Sequence, residues 1–159
     1  RRQRQMCIRD SHTEFSADGR FAYLITELSG EVMAFTYNGD SLTLLQTIQA
    51  DTLDARGSAD IHLSPDGRHL YASNRLKGDG LAIFHVNAQD GTLTKAGYQP
   101  TGIHPRNFIL TPNGKYLLVA CRDTNEIQVF ARDASTGLLT DTGQTIKTTK
   151  PVCLKFIKM

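Results

Sequence analysis

A chain of 159 residues is long enough for one ordinary domain, and its 40% hydrophobic and 21% charged residues exclude collagen, coiled-coil and disordered proteins. The net charge of +2 does not indicate a basic nucleic-acid-binding domain, because residues 1–11 carry +3 and leave −1 on residues 12–159. The longest apolar stretch near the repeats, residues 116–121, is far too short to span a bilayer.

The first eleven residues differ from the rest of the chain. They contain four arginines and one aspartate and do not fit the repeat described below. A basic arm of this kind could bind nucleic acid, but the run resembles the translated adapter sequence found at the ends of fragmentary reading frames. We therefore expect residues 1–11 to be a foreign or disordered stub and exclude them from the fold prediction.

A turn sequence then occurs three times. Residues 16–23 read SADGRFAY, residues 64–71 read SPDGRHLY and residues 111–118 read TPNGKYLL. The glycines at 19, 67 and 114 are 48 and 47 residues apart. A fixed period of this length, with alternating strand patterns inside each unit, predicts a β-propeller.

The second unit shows the pattern of one blade most clearly. The Pro65-Asp66-Gly67 and Gln89-Asp90-Gly91 segments have the composition of tight turns. The strands predicted around them cover residues 60–64, 69–74, 81–86 and 93–98. Four antiparallel strands in about 47 residues make one propeller blade.

Extending this pattern gives an all-β chain of about three four-stranded antiparallel blades. Their approximate limits are 12–57, 58–104 and 105–148, followed by a closing strand over 150–158. A propeller needs roughly 4–8 blades to close, and a repeat buries its faces only against its neighbours. We therefore expect this chain to be the C-terminal piece of a larger protein whose missing part precedes His12.

The loops after the second and fourth strands are expected to carry the functional site, because tight turns occupy the other face. Counted from each repeat glycine, the position that ends the second strand is Glu27, Arg75 or Arg122, and the position near the start of the first strand is His12, Asp60 or Asn107. These positions predict a polar crown around a central funnel. Charged residues at strand ends also commonly pair with each other, and Arg122 beside Asp123 favours a local ion pair.

Motifs for several other chemistries are missing from the sequence. No histidine, aspartate and cysteine set has metal-ligand spacing, and no nucleophile elbow, P-loop or dinucleotide glycine motif occurs. We therefore predict neither a metal nor a cofactor. Cys7, Cys121 and Cys153 show no C-x-x-C spacing, so reduced thiols are expected.

Three segments of the chain resemble one family. They are residues 12–28, residues 71–75 and residues 102–115, and the closing segment 150–156 also looks like the family's C-terminus. The family is that of the seven-bladed β-propeller lactonases, which includes propeller-type 6-phosphogluconolactonases and fungal carboxy-muconate lactonising enzymes. The resemblance covers residues 12–159 and implies that the three blades belong to a propeller of seven.

The resemblance also implies candidate catalytic residues. The family's proposed active site holds a His, two Arg and a Glu in the central funnel. Glu27 looks like that Glu and Arg75 like the second Arg, and His12 is the third catalytic candidate. The first Arg should precede His12, where Ser11 occurs, and the proposed His belongs to an earlier blade, so we expect the fragment to be inactive alone.

Substrate-binding candidates lie in the third blade. Arg106 occupies the repeat equivalent of the missing first Arg, which makes it a candidate for binding substrate. His104 in the preceding loop and Arg122 at the end of the second strand are further candidates.

The implied reaction is hydrolysis of a sugar lactone of the 6-phosphogluconolactone type, a step of the pentose phosphate pathway of glucose metabolism. Glu27 would activate water, and Arg75 would hold the phosphate or the developing oxyanion, without a cofactor. The expected partner is a small-molecule lactone, with no nucleic acid and no membrane. The expected location is the cytoplasm, although a lost N-terminus could have held a signal peptide.

Two other functional classes stay open. One is a non-catalytic protein-binding propeller, although the Gly-His and Trp-Asp signatures of that class are missing and the chain has no tryptophan. The other is a metal-dependent gluconolactonase-like propeller, for which Asp60 and Asn107 are the candidate ligands. A chelator would inhibit only the metal-dependent enzyme, and a binding propeller would turn over no lactone.

Overall fold

Every regular element of the described chain is a β-strand. The computed structural model describes residues 10–53 and 55–157, which contain twelve strands and no helix, hence none that could cross a membrane. The strands are β1 (Asp10–Phe15), β2 (Phe21–Thr26), β3 (Glu31–Tyr37), β4 (Leu42–Gln49), β5 (Ile61–Leu63), β6 (His69–Asn74), β7 (Gly80–Val86), β8 (Leu93–Pro100), β9 (Pro105–Leu110), β10 (Tyr116–Cys121), β11 (Glu126–Arg132) and β12 (Leu139–Lys147). They form three four-stranded antiparallel sheets, each ordered as in the chain. The all-β prediction and the four-stranded blades are confirmed.

The two ends of the chain differ from the predicted strand limits. Residues 10 and 11, which the sequence prediction counts with the stub, belong to β1, whereas residues 1–9 lie outside the described residues. Of the predicted closing strand, residues 151–157 form no strand, and residue 158 lies outside the described residues. A strand requires backbone hydrogen bonds to a neighbouring strand, whereas the hydrogen bond found for the described residues 151–157 runs from Leu154 N to the side-chain oxygen Oδ1 of Asn107 at 2.7 Å.

The repeated turn has a simple physical basis. In the first blade Gly19 N donates to the carbonyl oxygen of Ser16 at 2.9 Å, and the Ser16 hydroxyl donates to Asp18 Oδ1 at 2.7 Å. Gly19, Gly67 and Gly114 have φ values of +70°, +69° and +67°, a left-handed region that glycine adopts without strain. The same local chemistry therefore makes the same turn in each blade and leaves one face of the protein uniform.

The blades are held together by apolar cores at the two seams. One core joins the first two sheets and includes the fully buried Tyr23 and Phe84, and the other joins the last two and includes Phe108 and Phe130. Because each core draws side chains from two sheets, a blade is stabilised by its neighbour rather than by itself.

A buried arginine adds a polar link to the second seam, near the tight turns. Arg132, at the end of β11, donates to the Tyr71 hydroxyl at 3.0 Å, to Asp66 Oδ2 at 2.9 Å and to His69 Nδ1 at 2.8 Å. The Tyr71 hydroxyl in turn donates a hydrogen bond to the Gly137 carbonyl oxygen of the third blade at 2.8 Å. Burial and the neighbouring Arg132 charge lower the pKa of His69, as expected for a ring that accepts a hydrogen bond from a guanidinium.

Candidate active site

Four of the predicted site residues line one open cavity. His12 lies in β1, Glu27 directly follows β2, Arg75 directly follows β6, and Arg106 lies in β9. The cavity has a volume of about 360 Å³. Its wall is completed by Ser58, Ala59, Asn107, Val152 and Cys153. Equivalent strand ends of three successive blades thus converge at the face opposite the tight turns.

Arg75 is the most constrained of these side chains. Arg75 is buried, with 5% of its surface exposed. Nε donates to the Gly57 carbonyl at 2.6 Å, and Nη2 donates to the Ser58 carbonyl at 3.3 Å. Nη2 also donates to Glu27 Oε1 at 3.1 Å, and Nη1 lies 3.1 Å from His104 Nε2. Four contacts in different directions fix the plane of the guanidinium, so one side chain connects the first two blades with the loop that leads into the third.

Glu27 is held by its backbone as well as by its carboxylate. Its carbonyl oxygen accepts a hydrogen bond from Ser58 N at 3.2 Å, which joins the first blade to the second beside the cavity. Its side chain is 29% exposed, so the carboxylate is paired with Arg75 and still open to the cavity. This geometry suits a carboxylate that receives a proton from a molecule bound there.

His104 lies behind Arg75 and does not line the cavity. Its φ of +64° is unusual for a residue with a side chain, and its N–H donates to Asp79 Oδ1 at 2.6 Å. Burial, together with the positive charges of Arg122 and Arg75, lowers the pKa of His104. A neutral ring can accept the Arg75 Nη1 hydrogen at Nε2, which leaves Nδ1 facing Asp123 Oδ2 at 3.5 Å. The structure therefore places His104 as a support of Arg75, not in contact with the cavity.

The other two arginines have different surroundings. Arg106 is exposed and lines the cavity. The burial of Arg75 and the positive charge of Arg106 lower the pKa of Arg75. Arg122 donates to both carboxylate oxygens of Asp123, at 2.7 and 3.1 Å, and is not among the residues that line the cavity. Arg106 is thus available to a ligand, whereas Arg122 forms the local pair that the sequence favours.

A second group of ionisable side chains lies in β1, in β5 and at Asp60 directly before β5. His12 Nδ1 is 2.9 Å from the Ala59 carbonyl oxygen and 3.1 Å from Asp60 Oδ1. Asp60 is 1% exposed, and its Oδ2 is 3.3 Å from His62 Nε2. On the far side of that ring, His62 Nδ1 is 3.6 Å from Glu14 Oε2. The result is an alternating row of histidines and carboxylates between the first two blades.

Asp60 and His62, the two central members of this row, shift each other's pKa. Burial opposes the charge of His62, but hydrogen bonds to Asp60 and Glu14 outweigh it and raise the pKa of His62 to about 9. Burial likewise opposes the charge of Asp60, but the contact with His62 and the Phe108 N–H lower the pKa of Asp60. At neutral pH the pair is therefore an imidazolium and a carboxylate.

This ion pair predicts a specific pH dependence of stability. Because the pKa of His62 rises from 6.5 to about 9 on folding, its stabilising contribution is complete below pH 6.5 and is lost as the pH rises through 9. The difference in free energy of unfolding between the unmodified chain and the His62→Gln variant should therefore shrink across that interval. Urea titrations followed by circular dichroism at pH 6, 7.5 and 9 measure it. A difference that stays constant would contradict the assignment.

Sequence reasoning predicted four of the residues that line the cavity and counted Asp60 in the polar crown and as a possible metal ligand, but it missed the contacts of Asp60 with His12 and His62. The repeat could have predicted these contacts, since Asp60 occupies the same repeat position as His12 and Asn107. Within residues 10–53 and 55–157, no group of three or more histidine, cysteine, aspartate or glutamate side chains is arranged to hold a metal ion.

Known proteins resemble this chain in sequence. Residues 10–156 match the family model described as lactonase, 7-bladed beta-propeller. A 6-phosphogluconolactonase of Formosa agariphila is 45% identical over 132 residues, which are 80% of this chain and 37% of that protein. A 6-phosphogluconolactonase of Bacillus subtilis is 34% identical over 152 residues, which are 92% of this chain and 43% of that protein. The chain thus spans about 40% of the length of these relatives.

Solved structures agree with the sequence matches. A Bacteroides fragilis protein, crystallised as a candidate 6-phosphogluconolactonase, has a TM-score of 0.93 at 66% identity, over 94% of this chain and 42% of its own. The periplasmic gluconolactonase of Pseudomonas aeruginosa has a TM-score of 0.88 at 38% identity, over 94% of this chain and 42% of its own. Both similarities extend over all three described sheets.

Proposed function

This chain belongs to the seven-bladed β-propeller lactonase family, and from that membership we propose that the complete protein hydrolyses a sugar lactone of the 6-phosphogluconolactone type. The observation that supports this most directly is the cavity in which Glu27, Arg75, Arg106 and His12 meet. A carboxylate, two guanidinium groups and an imidazole supply the charges and hydrogen bonds that ester hydrolysis of an anionic sugar requires.

The proposed reaction begins with water at the lactone carbonyl carbon. Glu27 accepts one proton of this water as the new C–O bond forms, and His12 Nε2 accepts a hydrogen bond from the second proton and orients the molecule. The ring C–O bond then breaks, and Glu27 returns its proton to the departing ring oxygen. The products are the open-chain acid and its new hydroxyl group, so no oxidant or cofactor is consumed.

The two arginines receive different tasks in this proposal. Arg75 has four of its five N–H groups directed at Gly57, Ser58, Glu27 and His104, so one N–H on Nη1 remains for the substrate. A fixed single donor suits the developing oxyanion. Arg106 is exposed and pairs with no carboxylate of residues 10–53 and 55–157, so its planar guanidinium can bind a phosphate through two parallel hydrogen bonds.

A complete propeller is needed for the test. It is obtained by expressing the chain in its full reading frame, or by replacing the matching 42% of the Bacteroides fragilis relative with residues 12–157. Hydrolysis of 6-phosphogluconolactone is measured above the spontaneous rate, with gluconolactone as the uncharged comparison and a chelator as an added condition. Turnover that requires a metal would favour the metal-dependent propeller, and absence of turnover would favour a binding propeller.

Replacing Glu27 with glutamine in this protein should lower kcat about 10²-fold, because glutamine has the same shape but cannot accept the proton. KM should change little, since the amide oxygen can still accept the hydrogen bond from Arg75. The matched control is Glu31→Gln in β3, which lies outside the cavity lining and should leave the rate unchanged. An unchanged kcat in Glu27→Gln would remove Glu27 from the mechanism.

We also propose that the protein acts in the cytoplasm, since a phosphorylated sugar does not cross membranes freely. A faster reaction with gluconolactone than with the phosphorylated substrate would contradict this and would agree better with the periplasmic relative. Cell fractionation of the native host, with detection of the full-length protein, tests the location directly.

A further inference from the structure

The carboxylate of Asp60, which directly precedes β5, has more hydrogen-bonding capacity than its structural task requires. Its Oδ2 accepts hydrogen bonds from Phe108 N at 3.0 Å and from Asn107 Nδ2 at 2.6 Å, which attach the third blade to the second. Its Oδ1 accepts a hydrogen bond from Ile61 N at 3.0 Å and lies 3.1 Å from His12 Nδ1. One oxygen therefore serves the seam between blades, and the other faces the first blade and His12.

The internal repeat separates these two tasks. Asn107 occupies the Asp60 position of the third blade, and its Oδ1 accepts a hydrogen bond from Leu154 N at 2.7 Å. This bond is equivalent to the one between Asp60 and Phe108 N. An asparagine thus suffices to bind the segment that follows the third blade, and His62 at 3.3 Å from Oδ2 matches the negative charge of Asp60. The second oxygen, Oδ1, calls for another explanation.

His12 supplies that explanation. Its Nδ1 faces two acceptors, the Ala59 carbonyl oxygen and Asp60 Oδ1, so Nδ1 must carry a proton. In the neutral ring, Nε2 then carries the lone pair. We infer that Asp60 is a positioning residue that holds His12 in the Nδ1-protonated tautomer and thereby makes Nε2 a hydrogen-bond acceptor toward the cavity.

This inference rests on the proposed function, in which His12 Nε2 orients the attacking water. The groups that face Asp60 are hydrogen-bond donors from three blades: His12, Ile61, His62, Asn107 and Phe108. If residue 60 were asparagine with its oxygen toward the Phe108 N–H, its NH₂ group would face His12 Nδ1. The ring would then turn or take the opposite tautomer, and Nε2 would become a donor.

The first experiment measures the tautomer itself in the complete propeller labelled with ¹⁵N-histidine. Two-bond ¹H–¹⁵N correlation spectra distinguish the two tautomers, and the signal missing from His12→Gln identifies the ring. At the alkaline end of a pH titration we expect the unmodified protein to show the Nδ1–H form and Asp60→Asn to lose it. An Nε2–H form in the unmodified protein would overturn the inference, whether or not the protein hydrolyses lactones.

The second experiment combines variants. Asp60→Asn should lower kcat by about 10²-fold, and Asp60→Asn added to His12→Gln should cause no further loss, because Asp60 acts through His12. Losses that multiply in the double variant would show a purely structural role and contradict the inference. If the parent protein has no lactonase activity, the proposed function fails, while the tautomer measurement still decides the role of Asp60.

Discussion

Replacing Arg75 with glutamine should lower kcat/KM of the complete propeller by about 10³-fold, the largest loss of activity that we expect from one substitution. The Nη1 hydrogen directed at the oxyanion disappears, and removal of one such preorganised donor typically costs 10²–10³-fold in rate. The substitution also leaves Glu27 without the partner that fixes its carboxylate. Both effects act on the same step, so we expect the upper end of this range.

Lysine at position 75 separates charge from geometry. It keeps the positive charge, but one ammonium group cannot reach the Gly57 carbonyl, Glu27 and His104 together. We therefore expect Arg75→Lys to be nearly as inactive as Arg75→Gln. Recovery of most of the activity with lysine would show that only charge matters and would contradict the oxyanion role.

A matched arginine on the opposite face controls for general damage. Arg20 pairs with Asp18 in the first tight turn, and both side chains are about half exposed. Arg20→Gln should leave kcat/KM within a factor of two. Initial rates of 6-phosphogluconolactone hydrolysis, corrected for spontaneous opening of the lactone, provide the comparison, and circular dichroism confirms that each variant is folded.

Replacing Arg132 with methionine should lower the free energy of unfolding by about 3 kcal/mol, the largest loss of stability that we expect. The side chain is 2% exposed and donates to Asp66, to Tyr71 and to His69. Methionine fills a similar volume but donates no hydrogen bond, so the buried Tyr71 and His69 acceptors lose their partner. Urea unfolding followed by circular dichroism measures the change.

The repeat provides the control for this prediction as well. Asp18 occupies the Asp66 position of the first blade, but its arginine is the exposed Arg20 of the same turn. Arg20→Met should therefore cost far less stability than Arg132→Met, as expected for an exposed ion pair. Equal losses for Arg20→Met and Arg132→Met would show that burial of the second pair contributes nothing to the seam.

The sequence by itself determined the blade. Two local patterns predict it: the turn residues around Gly19, Gly67 and Gly114, and the alternation of apolar residues in the strands. Both act over fewer than ten residues, so they can be recognised without a structure. The same register placed Glu27 and Arg75 at equivalent strand ends, which was enough to predict that both lie at one face. The structure brings them into contact at 3.1 Å.

Only the tertiary structure decided which side chains act together. Asp60 and His12 are 48 residues apart, Arg132 and Asp66 are 66 apart, and both pairs depend on how one blade is rotated against the next. His104 was predicted to bind substrate, but its left-handed backbone and buried ring place it behind Arg75. Such contacts are set by the packing of apolar seams and by side-chain rotamers, which local patterns do not encode.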